Sequence, residues 1–441
     1  MNTRQIIAAA ALVAMTAGLA EAKIDKFTVD GIPVILKFNE TTPVVSAKFF
    51  LDGGVPYYGP DKAGTELLLF QAATKGTQSY PKEELRALLA RTGSRITADA
   101  GFDYTTVSLT CLRRDFETVW RAFAEVITDP ELAEEEVGLA RDRQLNDIRQ
   151  AKDDPDTYLR QLADELFYAG KPYATQPTGN EITVGALDGA SLRAYHDQEV
   201  TRARALVVLV GNVGQNEAEQ LVRAGLGKLP PGKYTRPEVA KAEDATAPDT
   251  RLEERPLPTN YVRGYYHCPS LDNPDYVPMN VALRILRQRL FEEVRTKRNM
   301  TYAVSSGMAT RRDNYGLLYV TAVEPDTTLR VMLTEVRKMQ NEPLDAKELH
   351  DNVKVAVTTY YMGEETNDSQ AEELGRYELV GGGYANAQRM VADMEKVTPN
   401  DIQRVARKYI KNIDFVMLGD PQKWKDPLAA DQPEVKGTKL N

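Results

Sequence analysis

Histidine is nearly missing from this chain. His196, His267 and His350 are the only three in 441 residues. They are widely separated, so no pair of them stands one helical turn apart as a two-histidine metal helix requires. Cysteine is almost as scarce, with only Cys111 and Cys268, too few for a disulfide scaffold and without metal-motif spacing. Cys111 shares the apolar side of an alternating strand pattern with Val107 and Leu109, which reads as a buried free thiol. A Cys111–Cys268 bridge is the alternative in an oxidising compartment. Basic excess is lacking too: 55 Lys and Arg face 64 Asp and Glu, for a net charge of -9. That excludes the basic footprint of a nucleic-acid binder. There is no G-x-S-x-G and no cysteine with a matching histidine, and Gly381-Gly382-Gly383-Tyr384 lacks the lysine of a phosphate loop and reads as a turn. Beyond the first residues, no apolar run is long or pure enough to span a bilayer.

The N-terminus is different. Arg4 gives a thin positive start, Ile6 to Leu19 form an alanine-rich apolar run, and Ala20-Glu21-Ala22 fits the small-x-small pattern before a cleavage site. The reading is a secretory signal peptide over 1–22 with a mature start at Lys23, and an uncleaved anchor is the alternative. The expected location is then the periplasm or the exterior, with no stable membrane insertion.

The remaining chain is too long for one ordinary core. The stretch 228–258 concentrates Pro230, Pro231, Pro237, Pro248, Pro256 and Pro258 among charged and small residues, which predicts a linker. It leaves halves at 23–227 and 259–423 and a polar tail at 424–441. The halves share an order of elements. In the first, a strand pattern at Tyr104 to Leu112 precedes an amphipathic helix carrying Val119, Trp120, Phe123 and Val126. Asp129-Pro130 then signals a long helix to about Ala151. In the second, Tyr315 to Val323 precedes a helix carrying Leu329, Met332, Val336 and Met339, and Glu342-Pro343 opens the next. Further on, a helix over Val184 to Tyr195 leads to a buried strand at Ala205 to Val210, matched by Val397 to Tyr409 and Phe415 to Leu418. The offset is about 210 residues throughout. This predicts a duplicated α+β unit, each half a mostly antiparallel sheet covered by helices on one face.

One segment carries a resemblance. Leu51-Asp52-Gly53-Gly54-Val55, followed by Gly64-Thr65-Glu66-Leu67-Leu68-Leu69-Phe70-Gln71-Ala72-Ala73-Thr74-Lys75-Gly76-Thr77, is similar to the zinc-helix region of pitrilysin/insulinase-like metallopeptidases. There a helix bears H-x-x-E-H, closed by Lys-Gly-Thr. Aligned on Lys75-Gly76-Thr77, the histidine positions fall at Leu67 and Gln71 and the catalytic glutamate at Phe70. The nearest equivalent of the third ligand, a glutamate well downstream, is Asp147. Leucine and phenylalanine offer no lone pair and a glutamine amide is a poor zinc ligand. These are degenerate positions, and no zinc is expected in this chain.

The resemblance continues at Arg289-Leu290-Phe291-Glu292-Glu293-Val294-Arg295 and Asn299-Met300-Thr301-Tyr302-Ala303-Val304, similar to the family's S-R-L-F-x-x-V/L-R-x-x-x-G-L-x-Y-x-V. By position it implies substrate-binding roles for Arg295 and Tyr302, whose relatives hold the scissile carbonyl or developing oxyanion. Asn299 stands at the family's glycine, where asparagine tolerates a left-handed backbone. Read without the family, Arg295 is free to pair with Glu292 on one helix face, and Tyr302 is an ordinary strand residue. The resemblance implies a non-catalytic subunit whose homologous partner carries H-x-x-E-H and the zinc, acting together on peptide substrates. A catalytically inert peptide-binding or scaffold protein of the same fold is the alternative.

Overall fold

A computed structural model describes residues 23–239 and 248–424. The signal-peptide reading at 1–22 and the polar tail from 425 lie outside the described residues, as does 240–247 of the proline-rich stretch.

Each half is built round a strand that the sequence makes apolar enough to bury on both faces. In the first half this is β3 (Val44–Asp52), with eight of nine residues buried, between β5 (Tyr104–Leu112) and β6 (Ala205–Gly211). With β1 (Ile24–Val29), β2 (Ile32–Phe38) and β4 (Arg95–Ala100) the order is β1-β2-β6-β3-β5-β4. In the second half β8 (Asn260–Cys268) lies between β10 (Asn314–Ala322) and β11 (Asp414–Gly419), with β7 (Thr250–Glu254) and β9 (Val304–Met308) at the edges, in the order β7-β11-β8-β10-β9. The pairings match step for step. β2–β6 and β7–β11 are the parallel contacts, and the others are antiparallel. Strand β5 begins at Tyr104 and its counterpart β10 at Asn314, 210 residues on. The repeat is therefore a structural duplication, with β1 as an addition to the first copy.

The proline-rich stretch 228–258 is more than a connector, because it contains β7. Residues Thr250–Glu254 pair in parallel with β11, so the second sheet begins before 259. Two helix starts also move. Pro130 pairs with Thr77 in an isolated bridge, and the helix begins at Glu134, running to Asp153. The counterpart helix begins at Ala346 rather than Pro343, because Asp345 caps it by accepting from the Lys347 N–H at 3.1 Å. The stretch Val184 to Tyr195 divides into helices Glu181–Gly185 and Gly189–Glu199, the second opened by a capping box at Asp188.

Helices of each half cover one face of its own sheet, and the other face is covered by exchange. The helix Pro155–Phe167 of the first half lays Leu159, Leu162 and Phe167 in one cluster with Tyr265, Tyr315 and Val416 of the second sheet. The helix Asn367–Leu379 of the second half does the reverse, joining Ala371 and Leu374 to Phe50, Leu206 and Val208 of the first. Gly375 permits that approach, since a Cβ there would lie 2.1 Å from the Phe50 ring. The two halves thus share their cores and form one packed unit.

Cys111 and Cys268 are buried free thiols, so the bridge alternative is not realised. Burial pushes the Cys111 thiol up to about 12. No helix among the described residues is long and apolar enough to cross a membrane.

Candidate functional site

The helix Thr65–Ala73 runs beneath the first sheet and packs against Glu134–Asp153. This brings Leu67, Gln71 and Asp147 to the wall of one cavity of about 400 Å³, so the three ligand positions do converge. Phe70 does not join them. It is fully buried in the core, edge-on to Phe49 at 6.4 Å between ring centroids.

The chemistry of the cavity does not suit zinc. Leu67 is apolar, and Gln71 brings an amide. Asp147 is the one anionic donor among the three and stands exposed at the mouth. Gln144, Gln161 and Gln176 supply further amides. The Gln144 amide donates to Thr178 O at 2.8 Å and Gly64 O at 3.2 Å, which ties it to the backbone. Among the described residues no group of three or more His, Cys, Asp or Glu side chains could share a metal ion. The residues present do not fit the family's metal.

One carboxylate on this helix is near the old site yet committed elsewhere, and sequence reasoning missed it. Glu66 points away from the cavity and is fully buried. It accepts from Arg204 Nη2 at 2.6 Å, Tyr195 OH at 2.9 Å and Thr105 Oγ1 at 2.5 Å. Arg204 also donates to Asp52 O at 2.8 Å and lies 4.2 Å over the Tyr57 ring. Burial works against the Arg204 charge, but Glu66 and Tyr195 outweigh it and hold the guanidinium above its ordinary value. The pairing is long-range, with no local signal in the sequence. It fixes strand ends and helix in place, and it commits the carboxylate to three buried donors away from the cavity.

The cavity gives a direct prediction. Leu67→His, Gln71→His and Asp147→Glu together should create a stoichiometric zinc site, because the two helices already place all three positions on one wall. Phe70→Glu is left out, since it would bury an unpaired carboxylate in the core. Metal analysis after dialysis checks this. A folded triple variant with no bound zinc would show that the helices sit at the wrong separation.

Arg295 and Tyr302 lie elsewhere, and neither lines this cavity. After the helix Tyr276–Leu290 the chain forms one π turn, Phe291–Thr296, which carries Arg295. Asn299 then takes the left-handed backbone at φ 50°, and the Asn299 and Met300 N–H groups close back onto Arg295 O and Val294 O at 3.0 Å each. The pairing of Arg295 with Glu292 does not form. Lys297 and Arg298 hold Glu293 at 2.6 Å each and keep its carboxyl down at about 2, and Lys297 also approaches Glu292. Among the described residues Arg295 makes no ion pair, and its guanidinium rests 5.0 Å over the Phe291 ring. Tyr302 is 89% exposed. Both side chains sit on either side of one closed turn and face solvent.

Of the histidines, His196 is tied to Ile127 O at 2.8 Å, His267 packs tilted against Phe167 at 4.7 Å between ring centroids, and His350 is exposed.

The fold is a duplicated α+β unit, with a cavity where the resemblance places the zinc-ligand positions. Two family models match the chain: "Insulinase (Peptidase family M16)" over 33–179 and "Peptidase M16 inactive domain" over 186–355. The chain belongs to family M16, the insulinase-like peptidases, and lacks that family's H-x-x-E-H. It is 23% identical to an uncharacterized zinc protease of Mycobacterium bovis over 86% of this chain and 88% of that one. It is 20% identical to a probable mitochondrial-processing peptidase subunit beta of Arabidopsis thaliana, over 88% of this chain and 76% of that one. Its fold matches a peptidase M16 inactive domain from Pseudomonas fluorescens with a TM-score of 0.82 at 18% identity, covering 90% of this chain and 98% of that one.

Proposed function

We propose that this chain is the non-catalytic subunit of an exported heterodimeric zinc metallopeptidase. A homologous partner carries H-x-x-E-H and the zinc, and this chain presents Arg295 and Tyr302 to the shared site. The observation that carries the reading is a contrast within one molecule. The zinc-ligand positions hold Leu67, Gln71 and Asp147, while Arg295 and Tyr302 keep their residue types, stand exposed and, among the described residues, form no ion pair. The Arabidopsis relative is by its name a subunit, which supports division of labour between two chains of this kind.

In such a pair, the partner's H-x-x-E-H would hold the zinc, which would supply hydrolytic chemistry, and its glutamate would serve as general base. Arg295 and Tyr302 would donate to the carbonyl oxygen as it becomes an oxyanion, a task suited to a fixed planar cation and a phenol. The peptide would add as a strand to a sheet edge of the partner. The apolar run and Ala20-Glu21-Ala22 support export of the assembly.

The test is peptide hydrolysis by the purified chain, alone and mixed with a neighbouring-gene product that carries H-x-x-E-H. Activity confined to the mixture, with zinc confined to the partner, is the expected result. Hydrolysis by this chain alone that survives a chelator would sink the reading.

A further inference from the structure

A second cavity, of about 620 Å³, opens where the two halves meet. Its walls come from the helix Tyr276–Leu290, the edge strand β9, the end of the helix Ala346–Gly363 and the helix Asn367–Leu379, with Lys48 of β3 reaching in from the first half. Most charges in it are answered. Lys48 lies 3.2 Å from Asp368 and 3.4 Å from Glu372, and Arg376 pairs with Glu373.

Three charges are not. Arg284 is half-buried and donates to Thr359 Oγ1 at 2.9 Å and Val355 O at 3.3 Å, both uncharged acceptors. Arg287 projects one turn further along the same helix. Glu364 is half-buried at the end of the Ala346–Gly363 helix. None of the three forms an ion pair among the described residues. Burial, together with Arg287, pulls the Arg284 guanidinium below its ordinary value. Burial lifts the Glu364 carboxyl above the usual range against the opposing pull of Lys37 and Arg376. Arg284 and Glu364 are thus half-buried in the wall with no direct ion pair among the described residues, while Arg287 is exposed beside them.

Their spacing selects a ligand. Arg284 meets the Ala346–Gly363 helix at Thr359, and Glu364 stands five residues further on, about 7.5 Å along the axis at the usual helical rise. Two or three extended residues span roughly 7–11 Å. The lining also includes Met308, Met390 and Met394, side chains that adapt to varied shapes. At Gly307 a Cβ would meet nothing within 4 Å, so β9 leaves room beside it.

We propose that this cavity binds short zwitterionic peptides of two or three residues, with the carboxylate on Arg284 and Arg287 and the ammonium on Glu364. The ligand is the size of a product of extensive peptide cleavage. The site is separate from Arg295 and Tyr302 and needs no partner chain to be tested, so it stands or fails independently of the function proposed above.

Isothermal titration of the purified chain with Ala-Leu-Ala decides it, using four forms: free ends, N-acetylated, C-amidated and doubly capped. Free Ala-Leu-Ala should bind, and capping either end should weaken binding about tenfold or more, the usual weight of one charge-assisted hydrogen bond. Arg287→Ala, at an exposed position, should shrink the difference between free acid and amide, with Arg284 retaining the remainder. Glu364→Gln should erase the difference between free and acetylated amine. Absence of heat with the free peptide, or equal affinity for free and doubly capped forms, overturns the proposal. If Glu364→Gln loosens the helix end, the capped series on the unaltered chain decides alone.

Discussion

Arg311→Ala should lower the stability of this protein by about 3–5 kcal/mol, the usual effect of removing one partner from a buried ion pair. Arg311 lies between β9 and β10 in the second half, and its guanidinium grips Asp164 of the first half with two bonds of 2.9 and 3.2 Å. Asp164 is 1% exposed. The guanidinium also lies 3.5 Å over Phe102 and 5.0 Å from the Tyr315 ring centroid, inside a wall of aromatics. Burial opposes the charge, but Asp164 and the surrounding tyrosines outweigh it and raise Arg311 above its ordinary value. Truncation leaves the Asp164 carboxylate with Gln176, at 3.1 Å, as its remaining side-chain donor, in a place water does not reach.

Because the pair joins the halves, the loss should appear as their separation. The chain carries a tryptophan in each half, Trp120 in the first core and Trp424 edge-on to Phe415 in the second. Urea titration followed by fluorescence of single-tryptophan versions should show the two reporters diverging in Arg311→Ala while they coincide in the parent. The double change Asp164→Leu with Arg311→Met should recover most of the loss, since an apolar pair of similar volume suits a buried site and a thioether suits the aromatic wall. Arg86→Ala is the control: its pair with Glu83 is exposed on both sides and is worth less than about 1 kcal/mol. A loss in Arg311→Ala no larger than in Arg86→Ala would mean that the aromatic packing alone holds the halves.

Much of this architecture was legible because it rests on local periodicity. The alternation at Tyr104–Leu112 is β5 to the residue, and Ala205 to Val210 lies within β6. The duplication was visible as an offset because both copies kept the same order of strands and helices. What the sequence hid is non-local. Strand β7 sits among prolines and charges, and it is a strand because β11 supplies a parallel neighbour. The exchanged helices Pro155–Phe167 and Asn367–Leu379 look like ordinary amphipathic helices. Nothing in either says that its apolar face covers the other half's sheet. Of the degenerate site, the alignment to Lys75-Gly76-Thr77 placed Leu67, Phe70 and Gln71, Asp147 was the nearest residue to the downstream ligand, and Leu67, Gln71 and Asp147 line one cavity. Phe70 departs from it because a side chain of that size is better placed against Phe49 than in a polar cavity. Glu66, one residue from Leu67, faces the opposite way on the helix, and its partner Arg204 is far off in sequence.

Arg295→Ala should reduce the turnover of an active mixture with the H-x-x-E-H partner by roughly 10²–10³-fold, the usual loss on removing one preorganised donor to a developing oxyanion. The loss should fall on kcat more than KM, because the interaction strengthens as charge builds on the carbonyl oxygen. Tyr302→Phe removes only the hydroxyl, and it should act in the same direction with a smaller effect. Arg295→Lys should not restore activity, since an ammonium cannot reproduce the planar fork. Neither change should disturb the chain itself: Arg295 is exposed and makes no ion pair among the described residues, and Tyr302 is 89% exposed. Melting temperature and co-purification with the partner should therefore match the parent, which separates a chemical role from a structural one. Activity within twofold of the parent in Arg295→Ala, with assembly intact, would remove Arg295 from the shared site. The exposed turn around Asn299 would then be a surface for holding the partner rather than for handling its substrate.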